Sequence, residues 1–221
     1  MFLVPSLFLV LASTVADENV GSTELEAVEV SPRVMAEYRR LSDEVGRLAE
    51  RGLWRGVRKN FAELEAIEIP LKHEDLLVGA HLSRMDGNVL QTRHYLSLAA
   101  PMEGSREVIE WLWAIDNGFG HVALKVPQGR SALLVAEVMP LVPDMRLSVV
   151  AASVLVDKGE NFVGLLPEGA YLLNGRSFSV KANQPVLEVV APPIRRGTSI
   201  ESLSISEATW TISSSEGVIR P

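Results

Sequence analysis

Around Gly118-Phe119-Gly120 the spacing of apolar residues changes from three-and-four to two. No other feature constrains the fold as much. Helical spacing buries one stripe of a cylinder, and alternate spacing buries one face of a sheet, so neither stretch can take the other's place. The chain therefore reads as α+β, with helices up to residue 118 and a β-rich part over 119–197.

The helical part opens at Ser31-Pro32, a capping residue followed by proline at the first helical position. Val34, Tyr38, Leu41, Val45 and Leu48 then form one stripe, which Gly52 ends. Leu53, Val57, Phe61 and Leu64 make the next stripe, up to Pro70. A third helix is expected over about 72–85 with Leu76, Leu77, Ala80 and Leu82, closed by the turn Asp86-Gly87-Asn88. A fourth runs over 89–100 to Pro101, and a fifth starts after Ser105 with Val108, Ile109, Leu112 and Ile115. About five helices are thus expected over 32–118.

Beyond residue 120, strands are expected at 121–126, 132–139, 162–166, 170–173, 177–181 and 186–190. Asn174-Gly175 is a hairpin signal, because a two-residue turn of that kind needs left-handed backbone at both positions. One helix interrupts the strands. It opens at Pro143-Asp144, carries Leu147, Val150, Ala151, Val154 and Leu155, and closes at Lys158-Gly159.

The helical part repeats. Gly52, Val57, Phe61 and Leu64 fall on Gly87, Thr92, Leu96 and Ala99 at a constant offset of 35, and Arg58 falls on Arg93. With Gly79-Ala80, Gly87, Leu96, Ala99 and Pro101 in place, residues 36–101 resemble two tetratricopeptide-type hairpins, whose period is about 34. The first unit departs from that pattern, with Val45-Gly46 reversed and Leu64 at a small-residue position; Thr92 departs in the second. An unrelated helical bundle is the other reading. The resemblance implies stacked hairpins, each burying its apolar face on its neighbour. It implies a concave face lined by the first helix of each unit, carrying Arg39, Glu50, Glu74, His81 and Arg84, suited to an extended peptide. An ordinary solvated face is the alternative. The fifth helix would cap the stack, with Trp111 and Trp113 on opposite sides of it, one packing on the repeats and the other on the β part.

Leu166-Pro167-Glu168-Gly169-Ala170-Tyr171, followed by Phe178-Ser179-Val180-Lys181-Ala182, resembles the end of PEGA-type β-sandwich modules. That likeness implies a surface-exposed, envelope-associated, non-catalytic module. The inserted helix departs from the family, whose strands run straight on.

Residues 2–11 are nearly all apolar and lead into Ala12-Ser13-Thr14-Val15-Ala16. That fits a secretory signal peptide over 1–16, with Asp17 as the mature start, although the expected basic residue before the apolar run is missing. The run is too short to span a bilayer, so no stable membrane span is expected once it is removed. Asp17, Glu18, Glu24, Glu26 and Glu29, with no base among them, make 17–31 an acidic linker. Leu203, Ile205, Trp210 and Ile212 alternate through the Ser/Thr-rich tail, 198–221, as an edge strand would. Export to the periplasm or medium is expected.

The chemistry is sparse. The formal net charge is -7, and the bases of 39–59 are interleaved with acids, so no nucleic-acid partner is expected. There is no cysteine, which excludes disulfides, thiolate chemistry and a lipoprotein anchor in this sequence. His73-Glu74-Asp75 is not the two-histidine zinc pattern, because Leu77 stands where the second histidine belongs. No phosphate loop, dinucleotide fingerprint or nucleophile elbow occurs. No catalytic, metal or cofactor residue is therefore nominated. The expected function is a non-catalytic scaffold of the cell envelope that binds a protein or peptide. The alternatives are an envelope hydrolase acting on peptidoglycan or glycans, with Glu137, Asp157 or Glu168 in a closed pocket, and a structural subunit of an envelope assembly.

Overall fold

The structure, a computed structural model, describes residues 31–193. The expected leader, the linker before Ser31 and the tail strand lie outside the described residues. Six helices and two three-stranded sheets make the fold α+β.

Five helices come first: α1 (Pro32–Glu50), α2 (Trp54–Glu65), α3 (His73–Met85), α4 (Val89–Glu103) and α5 (Arg106–Gly118). Tyr38, Leu41 and Val45 of α1 meet Val57, Phe61 and Leu64 of α2, then Leu76 and Ala80 of α3, and Leu96 and Ala99 of α4, in one core. The repeated positions are matched in burial: Phe61 and Leu96 are both buried, as are Val57 and Thr92, and Leu64 and Ala99. Gly79 lets α3 lie flat on this core. A methyl group there would stand 2.6 Å from the ring of Phe61 and 3.1 Å from that of Tyr95.

A buried polar knot ties α1 to α3. Asp75 is 3% exposed and accepts hydrogen bonds from Tyr38 Oη at 2.8 Å and Ser42 Oγ at 2.9 Å. The Lys72 N–H donates to Tyr38 Oη at 3.0 Å. A buried carboxylate needs such partners to offset lost hydration. Gly46, by contrast, stands inside α1 with open space where a side chain would begin. Gly46→Ala is expected to stabilise the protein by about 0.5–1 kcal/mol, because alanine forgoes less chain entropy in a helix. A urea midpoint that falls instead would show that the position is constrained.

The β part comprises β1 (Phe119–Lys125), β2 (Leu134–Ala136), α6 (Pro143–Asp157), β3 (Phe162–Pro167), β4 (Gly169–Leu173), β5 (Arg176–Val180) and β6 (Leu187–Val190). One sheet has the order β3-β1-β6, with β1 antiparallel to β3 and parallel to β6. The other is antiparallel, β2-β4-β5. The chain passes from one sheet to the other at Glu168, whose N–H donates to the Gly118 carbonyl at 3.0 Å. Asn174 and Gly175 both take positive φ, at 49° and 81°, and close the β4–β5 hairpin. A second core forms where Val149, Ala152 and Val156 of α6 pack with Val122, Leu124, Tyr171, Leu173 and Val180.

Two elements differ from expectation. The strand expected at 132–139 shrinks to three residues, which pair with Leu173 to Tyr171 of β4; one further bond, from the Glu137 N–H to the Ala170 carbonyl at 2.9 Å, follows before Pro140, which cannot donate to a ladder. Beyond it Val138 and Leu141 are 84% and 88% exposed. The fourth helix runs through Pro101 to Glu103, ended by Gly104 in a left-handed conformation whose N–H reaches the Ala100 carbonyl at 3.1 Å. Proline removes one N–H without stopping the chain, since the glycine one turn later supplies the cap.

Candidate functional site

The two parts meet along α3–α6 and the start of β1, and Phe119, Leu165 and Met145 belong to or pack on the helical core. Arg84, in the last turn of α3, donates from Nε to Asp144 Oδ2 at 2.7 Å. Asp144 stands in the first turn of α6, where the helix dipole favours an acid. The Arg84 guanidinium lies 4.8 Å from the centroid of the Trp111 ring, which holds it by a cation–π contact. These three groups line a recess of about 170 Å³ together with Val89, Thr92, Ile115, Phe119, Val142, Met145 and the exposed Ala114.

The five residues expected on one groove have different surroundings. Arg39, Glu50 and Glu74 are exposed. His81 stacks on Trp54, with ring centroids 4.4 Å apart. Burial, then the Arg84 charge, hold its imidazole below the usual histidine range, with Asp144 opposing them. Arg84 pairs with Asp144 and lies over Trp111, with more than a third of its side chain left exposed. A helix turns about 100° per residue, so α3 presents Glu74 and Arg84 to different neighbours.

The tryptophan expectation is corrected in one half. Trp111 sits at the junction, packed against the helical core. Trp113 is 68% exposed and packs between no two parts. Two residues along α5 is about 200° of rotation, and Val108, Trp111, Leu112 and Ile115 already fill the inward face.

Asp144 and Asp75 escaped the sequence reading. Asp144 read only as an acid suited to a helix start. Asp75 carried a usable signal: with Gly79 and Leu82 it shares the buried spacing of α3.

A second recess, of about 400 Å³, is lined by Glu137 and Glu168 with Gly118, Pro140 and Met145. Both carboxylates are exposed, and Asp157 is not among its walls. Elsewhere Asp86 pairs with Arg58, and Arg93 donates to Asp116 at 2.6 Å. Among the described residues no three histidine and acidic side chains gather as a metal site would need, and no helix is long and apolar enough to cross a membrane.

Comparison with protein-family models, curated proteins and solved structures finds no match to this chain.

Proposed function

We propose that the chain is an exported, non-catalytic scaffold of the cell envelope, in which tetratricopeptide-like hairpins bind a protein or peptide and a PEGA-like β-sandwich module carries them. The observation behind this reading is the burial of the first helices in matched rows. At the offset of 35, Tyr38, His73 and Val108 are buried, and so are Val45, Ala80 and Ile115. The intervening row Arg39, Glu74 and Ile109 is exposed in all three helices, and Trp113 stands one turn beyond Ile109. Exposed aromatic and arginine side chains on a rigid helical face are the residues that carry most binding energy at protein interfaces. Export rests on residues 1–16 and the acidic stretch after them.

The test is recovery of partners from cross-linked envelope extracts. One protein specifically recovered with the natural chain should fall by about tenfold or more with Arg39→Glu combined with Trp113→Ala. Unchanged recovery with both changes would count against the row.

A second reading, a hydrolase of peptidoglycan or glycans, is favoured by Glu137 and Glu168 sharing one recess. It stands second because the recess is open and both groups are exposed, whereas a general acid needs a carboxyl shielded enough to keep its proton. Release of soluble fragments from purified peptidoglycan, abolished by Glu137→Gln or Glu168→Gln, would put it first.

A further inference from the structure

We propose that the junction recess takes one large apolar side chain of a partner polypeptide, while Arg84 and Asp144 grip the peptide group beside it. The inference rests on the partner-binding reading and adds a second, deeper contact to the exposed row on the first helices.

Size comes first. A dry cavity of about 150 Å³ lined by aliphatic and aromatic groups holds a benzene ring. The recess, at about 170 Å³, matches one phenylalanine or leucine side chain. Most of its lining is apolar, with Val89, Ile115, Phe119, Val142 and Met145 among it, so a charged group entering would lose hydration and meet only Arg84 and Asp144, which already pair with each other.

The rim then selects what stands next to that side chain. Arg84 Nε and Asp144 Oδ2 lie 2.7 Å apart, and both side chains keep more than a third of their surface in solvent. They present donors beside an acceptor, as the carbonyl and N–H of a polypeptide backbone require. A free carboxylate would meet the charge of Asp144, and a free amine that of Arg84. A neutral amide meets neither, and this complementarity points to the interior of a peptide, not its terminus. Trp111 fixes the plane of the guanidinium before anything binds, which reduces the entropy lost on binding.

The approach is apolar as well. Val142 lines the recess, and the adjoining Leu141 and Val138 are nearly fully exposed on a segment stiffened by Pro140 and Pro143. A polypeptide laid across the mouth would cover them. Large exposed apolar groups beside a formed pocket are characteristic of an interaction site.

The test uses the full chain with ¹³C-methyl methionine, reading the Met145 signal, and N-acetylphenylalaninamide as probe. A saturable shift is expected with half-saturation in the millimolar range, about 1–10 mM for so small a ligand. N-acetylaspartamide and N-acetylphenylalanine, which place a charge in the recess or at its rim, should bind about tenfold more weakly. Ala114→Trp overhangs the recess from an exposed rim position and should weaken the probe about tenfold without moving the urea midpoint. No shift at saturating probe, or an equal shift in Ala114→Trp, overturns the proposal. Tighter probe binding in Trp210→Ala also overturns it, since the chain's own tail would then be the occupant. Partner recovery that is lost with Arg39→Glu and Trp113→Ala but unchanged in Ala114→Trp would sink this proposal and leave the scaffold reading standing.

Discussion

Gly87→Ala is expected to destabilise the protein by about 2–5 kcal/mol, while Gly52→Ala costs only about 1–2 kcal/mol. The two glycines lie 35 residues apart, Gly87 in the turn between α3 and α4 and Gly52 in the turn between α1 and α2, with φ of 70° and 67°. Both substitutions incur the strain of a left-handed L-residue. They differ in what lies outside the turn. At Gly52 nothing stands within 4 Å of an added methyl group. At Gly87 that methyl would lie 2.5 Å from the Leu147 carbonyl oxygen and 3.0 Å from Ala151 Cβ, both on α6. A backbone carbonyl in a helix cannot swing aside as a side-chain tip can, so the second hairpin must move off the β part. The difference between the two variants therefore measures the docking of the two parts. Urea denaturation followed by circular dichroism gives both values, and equal losses would mean that α6 is not held against the hairpin turn. Arg84 lies three residues before Gly87, so the larger effect should also displace the Arg84–Asp144 pair and dull the probe response at Met145.

The helical part was largely legible in the sequence because its signals are local. Pro32 and Pro143 open α1 and α6, Gly52 and Gly87 make the turns after α1 and α3, and stripes such as Val57, Phe61 and Leu64 are buried as their spacing requires. Asn174-Gly175 made the β4–β5 hairpin equally plain. What failed depends on contacts distant along the chain. The extent of β2 depends on its pairing with Tyr171 to Leu173, written some 35 residues later. The partner of Arg84 is 60 residues away, on a helix whose apolar spacing says nothing of its first turn. Register alone points His81 and Arg84 toward a groove, but register fixes the direction of a side chain and not what another element brings to meet it. The exposure of Trp113 follows from the rotation of α5 once Val108, Trp111, Leu112 and Ile115 make up the whole of the inward stripe.

None of the protein's three tyrosines should ionise in the folded state near pH 10. Tyr38, Tyr95 and Tyr171 are all buried, and burial is the first cause that pushes each phenol up to about 12. Tyr38 also donates to Asp75, Tyr95 to Glu65, and Tyr171 to the Pro167 carbonyl at 2.8 Å, and each bond needs the phenolic proton. In the unfolded chain the same groups lose their protons near 10. Each folded pKa is raised, so its contribution to stability is complete below pH 10 and is lost as the pH rises from 10 to about 12. In that window the unfolded chain binds fewer protons than the native one. Stability then falls by up to about 1.4 kcal/mol per pH unit for each tyrosine, roughly 4 kcal/mol per unit for the three together. Over that window the loss reaches up to about 8 kcal/mol, which exhausts the lower half of the about 5–15 kcal/mol range of ordinary domains. Tyrosinate absorbance should accordingly stay flat through pH 10 and then rise in one steep step together with loss of helical circular dichroism. A smooth titration of even one tyrosine near pH 10 with the helical signal intact would show that its phenol reaches water. If that tyrosine were Tyr38, the knot that joins α1 to α3 would be open.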